Sequence, residues 1–198
     1  VFVAAVGCTG HGVPGAFMSM IGNDLLNQIV NVEGKDSPDK ILDQLHKEVQ
    51  IALKQKHGVS ENHDGMDVAL VAIDKKKKQL EFASANRYLY LFGKDGLKEF
   101  EGQDKNIGGI MHEDTRSYKM ETAAYESGDM IYLFSDGVND QFGGPKGKKF
   151  GYRQLKGVLG GMSQETPEVQ QEKFSSTMNK WMEGEDQIDD FLLIGIRL

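Results

Sequence analysis

Positive charge is scarce in this 198-residue chain: 23 Lys and Arg stand against 30 Asp and Glu, a net charge of −7. Binding nucleic acid through its phosphates needs a basic face, so no nucleic-acid partner is expected. The surplus of carboxylates is what a metal site built from oxygen ligands would draw on. Cysteine occurs once, as Cys8, which excludes an internal disulfide and a Cys-based zinc cluster and fits a reducing compartment. No apolar run reaches the ~20 residues that a membrane span requires, and the first residues do not read as a signal peptide. A cytoplasmic domain without membrane contact of its own is therefore expected. The chain starts at Val1 rather than Met, which reads as one domain taken from a longer protein.

With 39% hydrophobic and 27% charged residues, the composition is that of a folded globular protein. Residues 1–6, VFVAAV, read as a buried strand. After a glycine turn, Pro14 suits a helix start, and Phe17, Ile21, Leu25 and Ile29 carry a helix to about Val30. A second helix is expected with Ser37 as N-cap, Pro38 at its first position and Leu42, Leu45, Val49 and Leu53 as its apolar stripe. Strands follow at 66–73, 79–85 and 88–92, then LKEF, a half-buried strand at 116–122, and a central one at 130–135. Two more helices (152–161 and 167–183) precede a last strand, FLLIGIRL; the second carries Phe174, Met178, Trp181 and Met182 on one side. There is no internal repeat and no long linker, so residues 1–198 read as a single domain. The order predicts an α+β fold with a mainly antiparallel sheet.

Residues 10–15, GHGVPG, spell a dinucleotide-binding fingerprint. That motif needs a parallel strand after the helix, ending in an acid about 20 residues past the glycines. Here NVEGKDSPDK and a second helix follow instead, so the fingerprint is read as a decoy. Cys8 has no arginine six residues on, as a cysteine phosphatase loop would require; Pro14 stands there. His11, between Gly10 and Gly12, reads first as a plain turn histidine, with a ligand or acid role as the alternative.

More informative are the carboxylates at strand ends. Asp136-Gly137 follows MIYLFS, and Asp189-Asp190 stands just before FLLIGI. Acids entering core strands resist burial unless a cation or base holds them, and oxygen ligands of this kind suit Mg²⁺ or Mn²⁺. Turn and cap residues in solvent are the other reading. Asp64-Gly65 is a tight-turn pair, whereas Asp67 opens the apolar strand 66–73.

Taken together, GCTGHGVPGAFMSMIG, DGMDVALVAID, ASANRYLYLF, YLFSDGVNDQFGGPKGKKF and QIDDFLLIGI resemble the SpoIIE-like branch of the metal-dependent (PPM-type) protein serine/threonine phosphatases. The likeness runs in order along the chain. It implies an α-β-β-α sandwich, two antiparallel sheets flanked by helix pairs. It also implies hydrolysis of phosphoserine or phosphothreonine at a two-metal centre, Mn²⁺ or Mg²⁺, which activates a water for attack on phosphorus. By position, Asp136 and Asp189 match the family's metal-binding aspartates, Asp190 is an adjacent candidate, and Asp67 matches an acid of its middle motif. Arg87 is one of four arginines; its fork of donors suits a substrate phosphate, and an ordinary hairpin arginine is the alternative. The basic stretch 143–153 with Lys146, and the turn Gly10-His11-Gly12, are candidate substrate contacts, with a mobile surface loop as the other reading of the former.

The family's first motif begins with an Asp shared by both metals, where this chain has Gly7. An upstream Gly-Asp-Phe strand, with a further acid, is also outside this sequence. Weakened or lost metal binding is expected, together with an uncovered sheet edge that favours a homodimer or strand exchange. The resemblance implies a signalling phosphatase whose partner is a phosphorylated regulatory protein such as an anti-sigma-factor antagonist, and which serves as output of a longer, membrane-associated sensor. The alternative is a non-catalytic pseudophosphatase that binds or senses; a nucleotide-binding oxidoreductase is a distant third.

Overall fold

The computed structural model describes residues 1–10, 12–55, 63–109 and 116–198. In chain order the elements are β1 (Phe2–Cys8), α1 (Gly12–Asn27), α2 (Pro38–Ala52), β2 (Gly65–Asp74), β3 (Gln79–Ala85), β4 (Tyr88–Gly93), β5 (Gly96–Glu101) and β6 (Ile107–Gly108). Then come β7 (Glu121–Ala124), β8 (Met130–Phe134), α3 (Asp136–Asp140), β9 (Phe142–Gly143), β10 (Lys148–Lys149), α4 (Gly151–Met162), α5 (Pro167–Trp181) and β11 (Leu193–Arg197). They pack as two compact units: Val1–Tyr88 with Phe100–Ala124, and Leu89–Glu99 with Tyr125–Leu198.

The first unit is built on the sheet β1-β2-β3-β7, with β6 paired to the start of β2. The pairings among these described strands are antiparallel. β2 and β3 meet at Asp74↔Gln79 across a turn of four lysines, Lys75 to Lys78, where Asp74 accepts the N–H groups of Lys76 and Lys77 at 2.9 Å. Among the described strands β1 pairs only with β2. Ile41, Leu42, Leu45 and Val49 of α2 are fully buried against Val68, Leu70, Ala83, Ala85 and Ile107. Each such side chain contributes about 1.5–3 kcal/mol by leaving water, so the α2 stripe anchors this sheet. Pro38 opens α2 as expected, but the Ser37 hydroxyl donates to Asp39 at 2.6 Å rather than capping the backbone.

The second unit carries the sheet β11-β8-β4-β5. β8 is buried along its whole length and runs antiparallel to both neighbours. Tyr90 and Phe134 rings lie 5.0 Å apart, and Phe92 meets Tyr132 edge-on at 5.8 Å. From α5, Gln170 accepts the Tyr132 hydroxyl at 2.7 Å, and Met178 is buried. Each unit thus combines antiparallel sheet with helices, the second also carrying the short β9–β10 pair, which is the α+β class expected.

Two stretches differ from the sequence reading. The strand expected at 116–122 begins only at Glu121, because side chains take up the backbone before it: the Tyr118 N–H donates to Asp43 at 2.8 Å and the Lys119 N–H to Gln103 at 2.5 Å. The first helix ends in a π-helical turn at Gln28–Val32.

Candidate functional site

The glycine turn is shaped by its backbone. Gly10 and Gly12 have φ of +87° and +64°, a region that side chains disfavour. A Cβ on Gly15 would lie 2.6 Å from the Gly10 carbonyl oxygen, so the helix start presses on the turn. Thr9 ties this turn to β2: its N–H donates to the Gly65 carbonyl at 3.0 Å, and its Oγ1 accepts the Gly65 N–H at 2.9 Å. His11 lies outside the described residues. Cys8 ends β1 half-buried, and burial raises its thiol pKa, the opposite of what a nucleophile needs.

In the first unit the candidate residues converge at one end of the sheet. Gly7 lies directly opposite Asp67 on the β1–β2 ladder. Val68 pairs with Ala85 on the next ladder, which brings Asn86 alongside Asp67. Asn86 turns the chain at φ +61° and donates its Nδ2 to Asp67 Oδ1 at 2.7 Å. Arg87 Nη2 pairs with Asp67 Oδ2 at 3.0 Å, the side chains being 10% and 24% exposed. A Cβ on Gly7 would stand 3.0 Å from that same Nη2. Ser84 fixes the Arg87 backbone from both sides, its Oγ accepting the Arg87 N–H at 3.0 Å and donating to the Arg87 carbonyl at 2.7 Å.

In the second unit the two acidic strand ends are locked together by Ser135. Its N–H donates to the Leu192 carbonyl at 3.0 Å, its Oγ accepts the Leu192 N–H at 3.0 Å, and the same hydroxyl donates to the Asp190 carbonyl at 2.9 Å. Gly137 is buried against this segment: a Cβ there would collide with the Asp190 carbonyl and come within 3.2 Å of Asp189 Cβ. Asp136 is half-buried at the start of α3, while Asp189 and Asp190 are exposed. Asp189 Oδ1 accepts the N–H of Asp190 at 2.7 Å. Lys146 is exposed in the turn between β9 and β10. That basic stretch is anchored rather than free: Gly144 N–H donates to the Trp181 carbonyl at 2.8 Å, and Lys149 pairs with Asp140 at 3.0 Å.

The bonded partners Ser84, Asn86 and Ser135 lie within ASANR and LFSDG, and only the strand register and the bonds above mark them out. Oxygen donors suit Mg²⁺ or Mn²⁺, and Asp136 and Asp189 supply them. Among the described residues, however, no three His, Cys, Asp or Glu side chains are grouped to hold an ion. Gly7 offers no donor, and both Asp67 oxygens are engaged by Arg87 and Asn86. The residues present do not fit a complete two-metal centre.

Among solved structures, the chain is similar to the SiaA-PP2C domain of Pseudomonas aeruginosa, at 28% identity and TM-score 0.86, covering 100% of this chain and 75% of that one. It also resembles the SpoIIE PP2C phosphatase domain with a fragment of its regulatory domain from Bacillus subtilis, at 19% identity and TM-score 0.73, covering 99% and 52%. A third is the catalytic domain of the serine/threonine protein phosphatase PstP in complex with two manganese ions, at 15% identity and TM-score 0.61, covering 98% and 85%. No curated protein matches the chain. The family described as stage II sporulation protein E (SpoIIE) matches residues 1–198, and the chain belongs to that family of PP2C (PPM-type) phosphatase domains.

Proposed function

We propose that residues 1–198 form a single signalling protein serine/threonine phosphatase domain, acting on phosphoserine or phosphothreonine of a regulatory protein such as an anti-sigma-factor antagonist. The observation that carries this reading is the pair of acidic strand ends, Asp136 and Asp189, locked by Ser135 beside the buried Gly137. Asp136 and Asp189, with Asp190 adjacent, are the residues proposed to hold Mn²⁺ or Mg²⁺. Lys146 and the Gly10-His11-Gly12 turn are proposed substrate contacts. In this reading the domain works in the cytoplasm as the output of a longer sensor. Pairing of two copies along β1 belongs to the same proposal, and a monomer in light scattering at high concentration would count against it.

A specific observation favours a second reading, a non-catalytic relative that binds a phosphorylated partner. Gly7 brings no carboxylate, and Arg87 stands over it. The deciding experiment is phosphate release from a phosphoserine peptide with and without Mn²⁺, with Asp136→Asn as control. Mn²⁺-dependent release that is lost in Asp136→Asn supports the phosphatase. No release at any Mn²⁺ concentration supports the binding module.

A further inference from the structure

We infer that the Arg87 guanidinium is the resident cation at the β1–β2–β3 strand ends, so that this cluster of the first unit is complete without a divalent ion. Directly opposed residues on an antiparallel ladder project to the same face. Gly7 and Asp67 are such a pair, and the face above Gly7 is filled by Arg87: its Nη2 and Cζ lie 3.0 Å and 3.8 Å from where a Cβ would be. The missing side chain at position 7 is what admits the guanidinium.

Asp67 is correspondingly committed. Arg87 Nη2 takes Oδ2 at 3.0 Å and Asn86 Nδ2 takes Oδ1 at 2.7 Å. An ion seeking this carboxylate would have to displace both donors while approaching a fixed positive charge. The arginine cannot retreat by moving its backbone. Ser84 brackets it, and Gly102 packs so tightly beneath that a Cβ there would lie 2.5 Å from the Arg87 carbonyl oxygen. With only 10% of the Arg87 side chain exposed, the pair is partly desolvated, and each charge needs the other. A guanidinium keeps its charge at every working pH, so the arrangement is permanent. It holds whether or not the chain hydrolyses a phosphoester.

The test is a double-mutant cycle on thermal unfolding with the isosteric Asp67→Asn and the shorter, neutral Arg87→Gln, run in EDTA and again in 5 mM Mn²⁺. Strong coupling is expected: each single change lowers the unfolding midpoint by several degrees, and the double change lowers it little further. The coupling should be the same in Mn²⁺ as in EDTA. Additive losses in EDTA, or coupling that vanishes when Mn²⁺ is added, would overturn the inference. Gly7→Ala is a second, milder probe. Its Cβ should lower the midpoint in the wild-type background and lose that effect in Arg87→Gln; an equal effect in both backgrounds counts against the guanidinium as occupant. These readouts follow stability, so a failed phosphatase assay leaves them standing.

Discussion

Gly7 and Asp67 face each other across the β1–β2 ladder, and the space between and above them belongs to Arg87. The glycine turn that follows Gly7 is held by its own backbone and by Thr9, while the space beside position 7 carries a neighbour's guanidinium. Shape and chemistry are separable here, because the turn depends on Gly10, Gly12 and Thr9 rather than on residue 7.

That separation predicts how metal binding returns. Gly7→Asp alone sets a new carboxylate against Arg87 and yields another ion pair. Arg87→Gln alone frees Asp67 but supplies no second acid. Combined, they should create a Mn²⁺ site at least tenfold tighter than either single change, seen by calorimetric titration. Equal titrations for all three variants would show that position 7 does not control the cation.

His46 gives the pH dependence. It is buried, its Nδ1 accepts the Gly108 N–H at 3.0 Å, and its pKa falls from 6.5 to about 4 through burial and the nearby charges of Arg116 and Lys47. The unfolded chain therefore takes up a proton at higher pH than the folded one. Stability present above pH 6.5 is lost as pH falls toward about 4, by up to about 3 kcal/mol from the linkage relation. Unfolding midpoints measured from pH 7 to pH 4.5 should fall for the wild type, and fall less in His46→Gln.

How far the sequence could be read is visible in particular elements. β3 is Gln79–Ala85 as expected, because the apolar run and the lysine turn define it locally. The α2 stripe at Leu42, Leu45 and Val49 is likewise buried as expected. The expectation at 116–122 failed because Asp43 and Gln103, distant in sequence, satisfy that backbone. Arg87 was recognisable as a candidate, but its partner is set by strand register: Asp67 is 20 residues away and is aligned with it only by the β2–β3 pairing. The Ser135 lock has the same origin, joining residues 55 and 57 positions apart.

In the second unit, the Tyr132–Gln170 bond at 2.7 Å joins the central strand to α5 inside the core. Tyr132→Phe leaves the Gln170 side-chain Oε1 buried without that donor, and should cost about 1–3 kcal/mol. Denaturant unfolding should show a lower midpoint with an unchanged slope. A change below a few tenths of a kcal/mol would mean that Gln170 finds another donor.

Gly137 tests whether the acidic strand ends act together. A methyl group there meets the Asp190 carbonyl, which the Ser135 hydroxyl holds, and the neighbouring Asp189 Cβ. Gly137→Ala must therefore push the Asp189-Asp190 segment away from Asp136, at an overpacking cost of about 1–3 kcal/mol. If Asp136 and Asp189 share a cation, the same variant should weaken Mn²⁺ binding at least tenfold while its circular dichroism spectrum stays that of the folded protein. Loss of stability with unaltered Mn²⁺ binding would place the cation on Asp136 or Asp189 separately, and would remove the Ser135 lock from the site.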